Sequence, residues 1–135
     1  MINMAVTVTN TTISKLNTDQ TLTANAATST VAGASEVFTY APKAATGKVA
    51  LIFQSSSTGV VPAKYSIAAG GLWASGAITG TIGSTTAAAA LEVVEIETAK
   101  VLQNNGTIAI TVSPGSSLLK LKTNHKFTMY ALELL

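Results

Sequence analysis

From Glu36 onward the chain repeats one local pattern, a short stretch of β-type alternation followed by a turn signal, about every ten residues. Glu36-Val-Phe-Thr-Tyr40 alternates and is stopped by Pro42, which has no N–H to give to a ladder. Lys48-Val-Ala-Leu-Ile-Phe53 is a continuous apolar run and predicts a central strand buried on both faces. Lys64–Ala68, Leu72–Ser75 and Ala77–Ile82 read as shorter strands, punctuated by Pro62 and by glycines at 70, 71, 76 and 80. Thr107–Val112 alternates, Pro114-Gly115 turns the chain, Leu118–Lys122 alternates again, and Lys126–Leu135 runs to the end as a strand tied into a sheet. Eight or nine such strands in about a hundred residues predict one all-β domain over residues 36–135, an antiparallel β-sandwich or jelly roll. Its core is expected to include Val49, Leu51, Phe53, Ile108, Ile110, Phe127 and Met129. With no cysteine, no disulfide can hold it together.

Only Thr85–Gly106 has an ambiguous period. The spacing of Leu91, Val94, Val101 and Leu102 fits an amphipathic helix, but Val93, Val94 and Ile96 are β-branched and the three glutamates spread over more than one helical face. The reading adopted is a strand over Leu91–Glu97 and one short helix over Thr98–Asn104. Thr98 would be its N-cap and Gly106 its left-handed stop.

Residues 1–35 differ in composition. Ala5-Val-Thr-Val-Thr9 alternates, but Thr18–Ser35 is almost all Thr, Ala, Ser, Asn and Gly, with Leu22 and Val31 its only large apolar residues. So few large side chains predict a segment that contributes little to folding and much to association. It is either an extended arm lying on a neighbouring subunit or a loosely packed strand and loop.

The inventory of reactive side chains is small. There is no arginine to fork onto a phosphate or carboxylate and no cysteine. The only imidazole, His125, falls in Thr123-Asn124-His125-Lys126, where a solvated turn is expected and not a catalytic base. Glu92, Glu95 and Glu97 are the one dense run of carboxylates, with Glu95 and Glu97 on the same side of a strand. A Ca²⁺ site or a glycosidase pair is conceivable there, but no Asp-rich loop accompanies them. No glycine-rich phosphate loop or nucleophile elbow is present. Trp73, Tyr65 and Tyr40 are read first as core or interface anchors, with a sugar-stacking platform as the alternative. The expectation is therefore no enzyme, no catalytic residue, no metal and no cofactor.

Charge points the same way. Net charge is +2, and charged residues make up only 10% of the chain, against about 25% in an average globular protein. Such a surface, covered by Thr, Ser, Asn and Ala, is easily desolvated and suits contact with other protein. Of eight lysines only Lys120, Lys122 and Lys126 cluster, so a solvated strand face is expected and not a nucleic-acid partner. No signal peptide and no apolar run long enough to span a membrane are visible.

The chain resembles the small head-decoration (cement) proteins of tailed bacteriophages. The likeness, one of texture and segment order over about residues 30–135, rests on four features. These are the Thr/Ala-rich start, the run Gly33-Ala-Ser-Glu-Val-Phe-Thr-Tyr-Ala-Pro42, Glu97-Thr-Ala-Lys100 ahead of Asn104–Val112, and the closing Met129-Tyr-Ala-Leu-Glu-Leu134. The resemblance implies a non-enzymatic structural virion protein on the capsid surface. Its partners would be the major capsid protein and itself, as a homotrimer. Two other classes fit the same residues: a self-assembling tail, fibre or pilus-like subunit, and a carbohydrate-binding module using Trp73, Tyr65 or Tyr40.

Overall fold

The computed structural model describes residues 4–8, 10–13, 19, 21–56, 61–71, 76–86 and 90–134. The expected strand at Leu72–Ser75, with Trp73, lies outside them. The strands are β1 (Met4–Thr7), β2 (Asn10–Ile13), β3 (Asn25–Ala26), β4 (Glu36–Tyr40), β5 (Lys48–Ser55), β6 (Ala63–Ile67), β7 (Ile78–Ile82), β8 (Ala90–Glu97), β9 (Ile108–Ser113) and β10 (Thr128–Leu134). They form two sheets. The first runs β1-β4-β9-β6-β7; the second runs β2-β10-β5-β8, with β3 also paired to β10. From β3 to β10 every connection changes sheet except the β6–β7 hairpin, so the two layers are laced together along the whole chain. This is an all-β sandwich.

Alternation decides which side chains meet between the layers. Glu36, Phe38 and Tyr40 point inward from β4, Val49, Leu51, Phe53 and Ser55 from β5, and Ile108, Ile110 and Val112 from β9. All seven expected core residues are buried. Phe53 is the hub. Its ring stacks on Tyr65 across the layers at 4.7 Å and leans on Phe127 at 5.9 Å, which in turn meets Phe38 edge-on at 5.5 Å. Gly80 lies under the Tyr65 hydroxyl, where a β-carbon would come within 2.5 Å of it, so any side chain there would require the Tyr65 ring to move off its place on Phe53.

Several expectations are corrected. The sheets are not wholly antiparallel: β1 runs parallel to β4, and β2 parallel to β10. Parallel partners lie far apart in sequence: residues 8–35 separate β1 from β4, and residues 14–127 separate β2 from β10. Described residues of the N-terminal segment are hydrogen-bonded to β4 and to the end of the chain. The Val8 N–H donates to Thr39 O, the Ala27 N–H to Phe127 O, and Asn25 Nδ2 to Met129 O. Backbone pairing does there what large apolar side chains do elsewhere.

The helix is also shorter than expected, Thr98–Val101 (α1). Thr98 is its first helical residue and not its cap, because its N–H donates to Gly47 O; Glu97 takes the N-cap position without a side-chain bond. The chain then leaves helical geometry at Leu102, and the Gln103 N–H bonds to Thr107 O. Gly106 is left-handed, as expected, but in the turn that follows. Gly70 is fixed here by close approach, since a β-carbon would sit 2.5 Å from Lys100 O.

Leu118–Lys122 is not a strand. Leu121–His125 forms a single π turn closed by left-handed Lys126. The Asn124 side chain accepts from the Lys120 N–H, while the N–H groups of Asn124 and His125 return to Lys120 O. The Lys122 N–H donates to Ser29 O and the Gly33 N–H to Leu119 O. Local Asn chemistry and the N-terminal segment thus take the bonds that a strand would have used. Finally, β5 is central in its sheet but buried on one face only: Ala50 and Ile52 on its outer side are half-exposed.

Because Phe53 joins both layers, Phe53→Ala is expected to cost about 3–5 kcal/mol in chemical denaturation. A loss under about 1 kcal/mol would show that the interlayer aromatic cluster does not hold the fold.

Candidate functional site

Two buried carboxylates, neither foreseen as functional, dominate the interior polar chemistry. Glu133 on β10 accepts from the Tyr40 hydroxyl at 2.9 Å, from the Lys43 N–H at 3.0 Å and from the Ala44 N–H at 2.8 Å. Glu36 on β4 accepts from the N–H groups of Thr28 and Ser29 and from the Thr28 hydroxyl at 2.7 Å. Glu133 is 2% exposed and Glu36 0%, so no substrate reaches either. Burial, and then the hydrogen bond and charge of Glu133, push the Tyr40 hydroxyl well above its ordinary range, which keeps it a donor. Both clusters bind strands together. A signal for them exists in the sequence: Glu36 shares parity with Phe38 and Tyr40, and Glu133 with Met129 and Ala131.

His125 is not the solvated turn residue expected. It is fully buried, and neither ring nitrogen has a hydrogen-bond partner. Its backbone oxygen accepts from the Ser56 N–H at 2.8 Å and from the Ser55 hydroxyl, so the π turn is pinned to β5 and the ring is carried inside. Desolvation lowers its pKa.

The three β8 glutamates separate as alternation requires. Glu92 faces the inner side and accepts weakly from the Gly83 N–H. Glu95 and Glu97 are exposed and pair with Lys48 at 3.1 Å and Lys100 at 3.3 Å. Among the described residues no group of three or more His, Asp or Glu side chains is placed to hold a metal ion. Tyr40 is buried and presents no ring to a sugar, while Tyr65 is half-buried and stacked on Phe53, with its hydroxyl pushed up by burial and then by the charge of Glu92. Lys122 and Lys126 are exposed and Lys120 half-buried, around the π turn instead of along a strand face.

The surfaces left are the two outer sheet faces, and they differ. On the β1-β4-β9-β6-β7 sheet, cross-strand rows read Thr79–Ser66–Thr111 and Thr81–Lys64–Ser113. These six residues, with Tyr65 and Gly80, line a shallow groove of about 380 Å³. The face is hydroxyl-bearing, with Lys64 the one charge in the groove. On the other sheet the central outward row is Tyr130–Ile52–Val93, flanked by Leu132–Ala50–Glu95 and Thr128–Gln54–Leu91. Leu91 and Val93 are 65% and 63% exposed. No family model, curated protein or solved structure matches the chain.

Glu133→Ala would leave the buried Tyr40 hydroxyl without its acceptor and release the partly buried Lys43 and Ala44 N–H groups, and should lower stability by about 1–3 kcal/mol in urea titrations. His125 gives a pH signature. Its folded pKa lies below the ordinary 6.5, so below that pH the unfolded chain binds more protons and stability falls as pH drops. His125→Leu is expected to be the more stable protein and to lose less stability than wild type between about pH 7 and pH 5. Parallel pH profiles for the two proteins would refute the buried neutral imidazole.

Proposed function

We propose that this chain is a structural virion protein, an oligomeric decoration (cement) protein that binds the outside of an assembled phage capsid lattice and stabilises it. The observation that carries the reading is the pair of outer sheet faces, one a hydroxyl ladder and the other an apolar strip. Both are low in charge and easily desolvated, and both are mounted on a core closed by buried polar clusters. Tyr40 and His125 are buried in the core and Tyr65 stacks on Phe53, and burial favours the neutral form of all three. A protein that binds only the assembled lattice stabilises that state by mass action, and each added subunit raises the effective concentration of the next contact.

We also read the strand wiring as jelly-roll-like. The sheets β4-β9-β6-β7 and β3-β10-β5-β8, with their single same-sheet hairpin, support this, and β1 and β2 are then additions along one side of each sheet. Jelly rolls serve in viral capsids and in lectins alike, so the wiring is compatible with the proposed role without selecting it. The second reading, a self-assembling tail, fibre or pilus-like subunit, is favoured by the open edge of β8.

Co-sedimentation with expanded, empty capsids tests the proposal. Because the contact faces are low in charge, raising salt from low to physiological levels is expected to weaken binding only slightly. A steep loss over that range would instead indicate attachment to nucleic acid. Tubes or fibres formed without capsids would select the second reading.

A further inference from the structure

We propose that β8 is a self-association edge, along which two copies of this chain pair antiparallel about a two-fold axis and merge their outer sheet faces into one. This inference stands on the edge itself and holds whether or not the protein decorates a capsid.

The first observation is the edge. Among the described residues β8 ends its sheet and pairs with β5 alone, in an unbroken register of eight residues. Natural edge strands are blunted by proline, by charged side chains (lysine above all), by inward-pointing charges, by a bulge or by shortness. β8 contains no proline, glycine or lysine and has no bulge. Its charges are three glutamates: Glu95 and Glu97 are neutralised by Lys48 and Lys100, and Glu92 faces inward, where it accepts from the Gly83 N–H. The outward N–H and C=O groups of β8 form a template for another strand.

The second observation is that the adjoining face reads as buried but lies open. The apolar run of β5 has the composition of a strand covered on both sides. Its outer residue Ile52 is nonetheless half-exposed, beside Tyr130 and the more exposed Val93. On β10 the glutamate at 133 points inward while Leu132 points outward. The row Tyr130–Ile52–Val93 therefore runs straight to the β8 edge and stops there.

The third observation is complementarity, which selects a second copy as the occupant. Antiparallel pairing about a two-fold preserves the outer face only when a residue opposes one of equal parity. Centring on Val93 sets it against Val93 of the second copy and continues the row Tyr130–Ile52–Val93 into its mirror sequence. In this register Glu95 opposes Leu91 and Glu92 opposes Val94, so no two carboxylates meet; centring on Glu92 would oppose like charges. The charges at the far end of the strand are already matched, Glu95 with Lys48 and Glu97 with Lys100, so the approaching copies carry no net repulsion there.

The test uses the full-length chain alone. Sedimentation equilibrium of the wild type is expected to give a dimer or an even multiple, and Val93→Lys or Leu91→Lys to raise the dissociation constant by about 100-fold or more. Both positions are exposed, and unchanged circular dichroism would show that the variants fold. Because the chain has no cysteine, Val93→Cys introduces a single thiol. Mild oxidation should cross-link it to a dimer, while the exposed loop control Thr46→Cys stays monomeric on a denaturing gel. A monomeric wild type at all concentrations, a trimer insensitive to either lysine, or equal cross-linking of the two cysteine variants would overturn the proposal. No capsid is present, so a dimer that later ignores capsids counts against the proposed function and leaves the β8 contact standing.

Discussion

The carboxylate of Glu133 is the interaction on which the arrangement of the two layers depends. It sits on β10 of one sheet and gathers the hydroxyl of Tyr40 from β4 of the other, together with two backbone N–H groups of the segment that leaves β4. A buried charge with no acceptor role would cost several kcal/mol, so the charge is tolerable only while all three donors stay in place. That requirement fixes how β4 lies over β10 in a way that apolar contact cannot, since hydrophobic attraction is non-directional. Glu36 does the same for the N-terminal segment, which has too few large side chains to dock by burial. The chain thus uses scarce carboxylates as directional fasteners between elements that its small residues hold only loosely.

Much of the fold is legible in the sequence because β alternation is a local signal. The strands Glu36–Tyr40, Lys48–Phe53, Leu91–Glu97 and Thr107–Val112 emerge within a residue or two of their bounds, and the parity of Val49, Leu51, Phe53, Ile108 and Ile110 fixes which face is inside. What was not legible is non-local. The failed strand at Leu118–Lys122 has good alternation, yet Asn124 closes a turn on Lys120, and Ser29, far away in sequence, takes the Lys122 N–H. The parallel course of β1 and β2 depends on edges that exist only after the sheets have formed. His125 was misread for the same reason: its neighbours in sequence are polar, but the π turn places its ring inside.

The sites divide along the same line. The glutamates of β8 were separable by parity, and Glu95 and Glu97 do lie together on the exposed side. Glu36 and Glu133 were passed over because lone carboxylates in apolar strands look like solvated exceptions. Their parity with Phe38 and Met129 was the available clue: an inward-facing charge must have partners, and partners imply a second segment folded over it.

The apolar outer face is the feature on which the proposed self-association rests. Val93 and Leu91 lie exposed beside Ile52 on an edge that has no proline, lysine or bulge and whose outward glutamates are paired, which leaves it open to another strand. The lysines that could have blunted it stand instead at one end of the strip, each already paired with a glutamate of β8. That placement leaves the centre of the strip free of charge while neutralising its rim, the distribution of a contact surface, with its apolar core and polar margin. The opposite face, with its Thr and Ser rows, has no comparable apolar strip and suits a wetter, more reversible contact. Two faces of different character on one rigid sandwich allow one contact to form without competing with the other. That independence is what a subunit needs if it is to hold its own copies together and still bind a foreign lattice.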